Sequence, residues 1–354
     1  MKKILYIILI LVITTTIIIF IHNDDFLYHQ EILKITSMKT LSEDISMNTL
    51  GIKEKYYEKE ITGIITNTKN KGQEKTITYE ETYSSIVTEK YQVGDKVFLD
   101  HSSISGLKRD TYIAILLLSF IMLLLVIGKM KGFLSLISVI FNSFIFYIGL
   151  VLYFKGINLL LLCVIEAVIF SIVSLRIAGG RNNKTKAAIL STLVTFTVLL
   201  IGLFILMKVT NYSGINMNGL SFLTVPVEHI ILPELLIGVL GVSMDVAISI
   251  SSALQELIDK NKKISENALQ KSAKEMGKDI MSTMTNVLFF TYLSTGLPMF
   301  VLALRNGFTF YNFVTANFQL EITRFLVGSI ALVMTIPISS LISIKVMKKG
   351  VLHE

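Results

Sequence analysis

The most constraining feature of this chain is a succession of apolar runs, each close to the length of a bilayer-crossing helix. A helix needs roughly 20 mostly apolar residues to span the hydrocarbon layer. Runs of that kind fall at about 4–21, 111–128, 133–154, 157–177, 187–207, 231–251, 280–304 and 322–344. Short polar segments separate them, a spacing that a water-soluble core does not require. Composition agrees: 52% of residues are hydrophobic and 17% charged, against about 25% charged in soluble domains. The fold class expected is therefore an α-helical polytopic membrane protein with about eight transmembrane helices.

The first run follows Met1-Lys2-Lys3, as a signal peptide would. The residues after it, Ile21-His22-Asn23-Asp24-Asp25, offer no small-x-small cleavage site, so 1–21 reads as an uncleaved signal anchor. Residues 111–354 then form a seven-helix transmembrane domain. Placing the N-terminus inside puts Lys2, Lys3, Lys129, Lys131, Arg176, Arg181, Lys184 and Lys186 in cytoplasmic segments. Six more lysines in 255–279 and three in 345–349 join them. The short loops on the other side carry only Lys155, Lys208 and Arg305. Lys/Arg asymmetry in short loops sets orientation, so both termini are expected in the cytoplasm of a cell-membrane protein. The net charge of +7 then belongs to the cytoplasmic membrane face, where anionic lipid headgroups are the expected partners, and not to nucleic acid binding. Cys163 is the single cysteine and lies in an apolar run, so no disulfide forms within the chain and the thiol reads as an inert packing residue.

Residues 22–110 change character, with many charges, Thr and Tyr. Short β-like stretches appear at Glu31 to Thr36, Tyr56 to Thr66, Lys75 to Glu81, Ser85 to Thr88 and Lys96 to Asp100. Ile61, Gly63 and Ile65 alternate with polar neighbours, as a half-buried strand should. Asn67 to Gly72 reads as a turn, and Val93 to Val97 as a turn into a final strand. Five short strands predict a small extracytoplasmic β-barrel of OB or SH3-like type. No basic-aromatic stripe marks it as a nucleic-acid binder, so a binding or assembly module is expected.

Ionisable residues inside spans are costly, about 2.5–3.5 kcal/mol for a charged side chain at a helix centre, so they are the best functional pointers. Glu166 sits near the middle of its span, and Asn142 near the middle of the preceding one. Glu166 either fastens two helices by hydrogen bonding or marks a proton or cation site. In 231–251, Asp245, Ser249, Ser252 and Glu256 follow i, i+4, i+7 and i+11 spacing and share a helical face. Glu234 lies three turns earlier on that stripe, and Gly238 and Gly241 permit close approach or unwinding. Asp279, Thr283 and Asn286 form a second stripe near the start of the next span, with Gly296 and Pro298 further along. Glu321 and Arg324 are spaced to pair at the edge of the last span. The spans at 231–251 and 280–304 are read as interrupted helices lining a polar cavity. The segment between them, 252–279, reads as a basic amphipathic helical pair on the inner leaflet. Loop 306–320, with Phe308, Phe310, Tyr311, Phe313 and Phe318, is expected at the outer interface.

Several blocks resemble the YibE/F family of multi-pass membrane proteins. They are Gly241-Val-Ser-Met-Asp-Val-Ala-Ile-Ser-Ile-Ser-Ser-Ala-Leu-Gln-Glu256, Gly277-Lys-Asp-Ile-Met-Ser-Thr-Met-Thr-Asn286, Glu321-x-x-Arg324 and Gly328 to Pro337. Tyr56-Tyr57, Lys71-Gly72 and Tyr91-Gln-Val-Gly-Asp-Lys96 extend the resemblance to the β domain. The resemblance implies an integral membrane protein and carries over no activity and no residue roles. Glu166 lies outside its motifs.

The function expected is a permease, or an accessory to one, for a small solute or ion. Proton or Na⁺ coupling is implied, since there is no Walker loop. The alternative is a membrane sensor or assembly protein whose β domain binds a ligand or partner. An enzyme is not expected: Val242-Ser-Met-Asp245 lacks the Gly-x-Gly-Asp pattern of an intramembrane aspartyl protease, there is no His-Glu-x-x-His, and the five histidines are scattered. Neither cofactor nor metal is expected. A second membrane subunit or a homo-oligomer is compatible with the polar stripes.

Overall fold

The computed structural model describes residues 2–47, 53–85, 88–100, 103–211 and 228–351. The chain divides into two compact units, Met1–Phe133 and Leu134–Glu354.

In the first unit, α1 (Lys2–His22) is apolar along its length and ends in a 3₁₀ turn at Asp24–Leu27. An antiparallel sheet follows: β1 (Ile32–Met47), β2 (Lys53–Ile65), β3 (Glu74–Thr82), β4 (Lys96–Asp100) and β5 (Ser103–Leu107), in the order β3-β2-β1-β4-β5. Leu33, Ile35, Ile61, Ile65, Ile77, Tyr91, Val97 and Leu99 form its core. Gly63 has to be glycine, because a Cβ there would run into the Lys34 carbonyl of β1. The turn expected at 67–72 and the turn expected to lead into the strand at 93–97 are present, and they use positive φ at Gly72 (89°) and Gly94 (101°). No hydrogen-bonded ladder joins β3 to β5 among the described residues. The domain is thus an open five-stranded sheet, and the barrel expected from the strand count is not formed by backbone pairing. Of the stretch 85–88, residues 86 and 87 lie outside the described residues.

Behind the sheet is a knot of charge. Lys108, with its side chain 1% exposed, meets Asp24 at 2.7 Å, Asp110 at 2.8 Å and Asp25 at 3.4 Å. Tyr28 donates to Asp110 (2.9 Å) and lays its ring under the Lys108 ammonium. Lys96 pairs with Asp25 at 2.7 Å and donates to the His22 carbonyl, while Lys108 donates to the Ile21 carbonyl. Two ammonium groups therefore satisfy the C-terminal carbonyls of α1, where the helix dipole favours positive charge. Burial pushes the Asp25 carboxyl up, but the Lys96 hydrogen bond and the neighbouring charges outweigh it and hold the group below the usual carboxylate range.

The helix α2 (Asp110–Phe154) carries two of the apolar runs and is broken at Lys129 (φ 48°, ψ −125°). The second unit continues with α3 (Leu159–Gly179), α4 (Asn183–Thr210), α5 (Glu228–Lys260), α6 (Glu266–Arg305), the short α7 (Phe310–Phe313), a wide turn at Val314–Phe318 and α8 (Gln319–Val351). Asn158, Asn182 and Ser265 cap α3, α4 and α6 by accepting backbone N–H groups. Among the described residues six helices, α2 to α6 and α8, are long and apolar enough to cross a membrane. The expected eight counted α2 twice, across its break, and included α1.

The centre of this unit is α4, α5 and α8. Their seams carry small and hydroxyl side chains: Ala187, Ala188, Ser191 and Thr192 on α4, Ser243, Ala247 and Ser251 on α5, and Ala331, Thr335, Ser339 and Ser343 on α8. Such residues let backbones approach closely where no hydrophobic effect draws helices together. Ser251 and Ser343 share a hydrogen bond (2.8 Å), and Thr335 donates to Ser243 (3.3 Å), which fixes α5 and α8 as parallel neighbours. Gly277 brings α6 against Ile336 of α8.

Two expectations about shape are corrected. Both α5 and α6 run as continuous helices through Pro233 and Pro298. Gly296 serves instead as a flat seat for the Phe318 ring. Nor do residues 252–279 form a separate surface-lying pair. They are the ends of α5 and α6 joined by a turn, with Leu254, Ile258, Leu269 and Ala273 packed on Ile344 and Met347 of α8, and the lysines exposed. Their apolar stripe faces the bundle, which explains its amphipathic pattern. In the loop 306–320, Phe313 is buried against Phe300, whereas Phe308, Phe310 and Tyr311 are exposed.

Candidate functional site

Glu234 stands in the second turn of α5, and Glu321 and Arg324 in the first two turns of α8. The parallel packing of α5 on α8 brings them together. Arg324 donates one guanidinium nitrogen to Glu321 (2.5 Å) and the other to Glu234. The three side chains border a cleft of about 240 Å³, shared with Gly238, Gly328 and, from α6, Thr291, Tyr292 and Thr295. Gly238 faces the Tyr292 hydroxyl, which a Cβ there would just touch at 3.4 Å. One cation shared by two carboxylates leaves the group with a formal charge of −1. Glu321 Oε2 is buried without a hydrogen-bond partner among the described residues. A half-buried guanidinium bound to both carboxylates holds them in fixed geometry, while that oxygen retains acceptor capacity.

Asp245 lies eleven residues beyond Glu234, about 16 Å along the helix. Gly238 and Asp245 are seven residues apart, close to two turns, so the cleft and this carboxylate share one face of α5. Asp245 and Ser249 are both exposed, and Ser249 donates back to the Asp245 carbonyl (2.7 Å). Among the described residues the Asp245 carboxylate has no hydrogen-bond or ion-pair partner. At the end of the stripe Glu256 pairs with Lys260 (2.7 Å) on the open surface.

The second stripe is not brought to the first. Asp279, Thr283 and Asn286 occupy the exposed face of α6, away from Gly277, Met284 and Leu288 that pack towards α8. Thr283 and Asn286 bond to carbonyls of their own helix, and among the described residues no hydrogen bond joins them to Asp245 or Ser249. Glu166 is separate again. It is buried on α3 over Gly149 of α2, whose missing side chain makes space for the carboxylate. One turn from Ser171, Ser174 accepts from Asn142 (2.6 Å), so it is Asn142 and Ser174, not Glu166, that form the fastener between these helices. Tyr292, Thr291 and Thr295 were not singled out by sequence, and Gly328 entered only as the start of a block resembling the family. Thr291 and Thr295 at i, i+4 with an adjoining Tyr deep in an apolar span were the available signal.

Apolar helices of spanning length, with charged side chains gathered between them, define an integral membrane protein. A family model for YibE/F-like proteins matches residues 116–349, and a model for the YibE/F N-terminal domain matches residues 26–114. The chain belongs to the YibE/F family. No curated protein and no solved structure matches it.

Proposed function

We propose that the protein is a permease, or the membrane subunit of one, for a small solute or ion, and that its pathway follows the open face of α5. The observation that carries this reading is the convergence of Glu234, Glu321 and Arg324 on a cleft that lies on the same face of α5 as Asp245, unpartnered among the described residues. A lone ionised carboxylate facing hydrocarbon is unfavourable by about 2.5–3.5 kcal/mol, whereas one lining water is not. The negative balance of the cleft suits a cation or a proton-coupled solute. The Lys/Arg distribution supports cytoplasmic termini with the β domain on the opposite side. No chemical step, cofactor or metal is part of this reading.

Liposomes containing the purified protein and an internal pH dye, challenged with Na⁺, K⁺ and divalent cation gradients, test it. The expected result is a gradient-driven flux abolished in Asp245→Asn and Arg324→Gln. Absence of flux in every gradient, together with a cellular phenotype unaffected by Asp245→Asn, contradicts it.

A second reading is favoured by the Lys108 cluster, which ties the sheet to α1 and to the start of α2. A ligand or partner on the β domain would act directly on two helices, as a sensor requires. Deleting 29–103 separates the two: a carrier retains residual flux, and a sensor loses its response.

A further inference from the structure

We infer that the β domain pairs with a second copy of this chain, β1 against β1, to make one continuous sheet. β1 is 16 residues long, but β4 covers only Ile32 to Lys34 of its outer edge, extended by the Ile35–Asp95 and Gly94–Ile35 backbone bonds. Among the described residues no backbone hydrogen bond reaches that edge from Ser37 to Met47. Exposed edges of this length are usually blunted by proline, charge or bulges, and this one has two bulges and the charges of Lys39, Glu43 and Asp44. Here the first unit contains no proline at all. Leu41 (45% exposed), Ile45 (62%) and Met47 (62%) stand open along it.

Backbone parity shows which groups are available. Lys55 accepts from Tyr83 and Ile65 donates to Gln73, so odd-numbered residues of β2 point towards β3. Their partners in β1 are Met38, Thr40, Glu43 and Ile45, which therefore point away from β2 into the open edge. A two-fold axis between Leu41 and Ser42 uses all of them. Thr40 then meets Glu43 of the other copy, and Met38 meets Ile45, as hydrogen-bonded pairs. Between these, Lys39 meets Asp44 in the closer, non-hydrogen-bonded spacing. Neither Lys39 nor Asp44 has an ion-pair partner among the described residues, whereas Glu43 is already held by Lys55 (2.6 Å). The bulge between Thr40 and Ser42 falls at the axis. The same register thus satisfies backbone direction, charge and apolar contact at once, in an isologous interface. A strand from an unrelated chain has no reason to match all three.

The test is charge reversal and rescue in the full-length protein in detergent or nanodiscs, read by sedimentation. The wild type is expected to dimerise. Lys39→Asp alone weakens the dimer about tenfold, and Lys39→Asp with Asp44→Lys restores it, since two symmetric pairs turn from attraction to repulsion and back. Ile45→Pro removes an edge N–H that the β1–β2 ladder does not use, so it is expected to abolish dimerisation while the thermal unfolding of the protein is retained. A monomeric wild type, a partner of different sequence bound at this edge, a double reversal no better than the single one, or a dimer surviving Ile45→Pro overturns the inference.

Discussion

The Lys108 cluster of the first unit and the α5 face of the second hold the same chemical groups in opposite conditions. Lys108 is buried and each carboxylate around it has a cation: Asp24, Asp25 and Asp110 pair with Lys108 or Lys96, Tyr28 and two helix carbonyls join them, and only Asp25 Oδ1, 3.4 Å from Lys108, lacks a hydrogen bond among the described residues. Asp245 is exposed in an apolar helix, and among the described residues nothing answers it. The first arrangement fixes geometry, because each ammonium is shared among several carboxylates and carbonyls. The second leaves a charge free to meet something that is not part of the chain. The triad at Glu234, Glu321 and Arg324 lies between these extremes, tied by the guanidinium yet with one carboxylate oxygen unused.

This contrast breaks first at the cluster. Lys108→Met leaves Asp24 without its ion pair and takes a cation from Asp110 and Asp25, which keep Tyr28 and Lys96, and is expected to cost about 3–5 kcal/mol, seen as a large fall in Tm or loss of the folded β domain to protease. Gly149→Ala comes next. It puts a methyl group where Glu166 lies, with an expected cost of about 1–3 kcal/mol by overpacking in thermal denaturation of the membrane domain. Acidification sharpens the comparison within the β domain. The carboxyl of Asp25 is depressed in the folded state, so its contribution is present above the unfolded value of about 3.9 and is lost as pH falls through the lower folded one. Protease resistance of the β domain is therefore expected to hold at neutral pH and decline only below about pH 4. Lys108, raised by its Asp110 and Asp24 partners against the opposing effect of burial, adds stability that survives to strongly alkaline pH. Asp245→Asn has the smallest effect on stability, within about 0.5 kcal/mol, and is expected to abolish flux. A large stability change in that variant would place Asp245 with the cluster and remove the contrast.

Much of this was legible in the sequence, and the misses have physical reasons. Run length alone located the spanning helices, and alternation located Ile61 and Ile65 in β2. The length of β1 was hidden because residues after Thr36 have no consistently buried face, and without one a strand has no alternation to show. β5 was missed because Ser103-Ile-Ser-Gly-Leu107 is short and interrupted by glycine. Local spacing shows that Asp279, Thr283 and Asn286 share a face, but not where that face points. Glu321 and Arg324 were paired from i, i+3 spacing, but the contribution of Glu234, 90 residues earlier, depends on the packing of α5 against α8. Prolines and glycines in α5 and α6 suggested interruption, but the helices tolerate them where neighbours need the space.

The most direct measurement is the reactivity of a cysteine at the stripe. In a Cys163→Ala background, which removes the one native thiol, Asp245→Cys is reacted with a small charged, membrane-impermeant thiol reagent in sealed liposomes. If the α5 face lines a water-filled pathway, the thiol reacts readily, and Gly241→Cys and Ser249→Cys on the same face react with it. If all three resist the charged reagent but react with an apolar one, the face lies against lipid or a partner helix, and the permeation reading is contradicted.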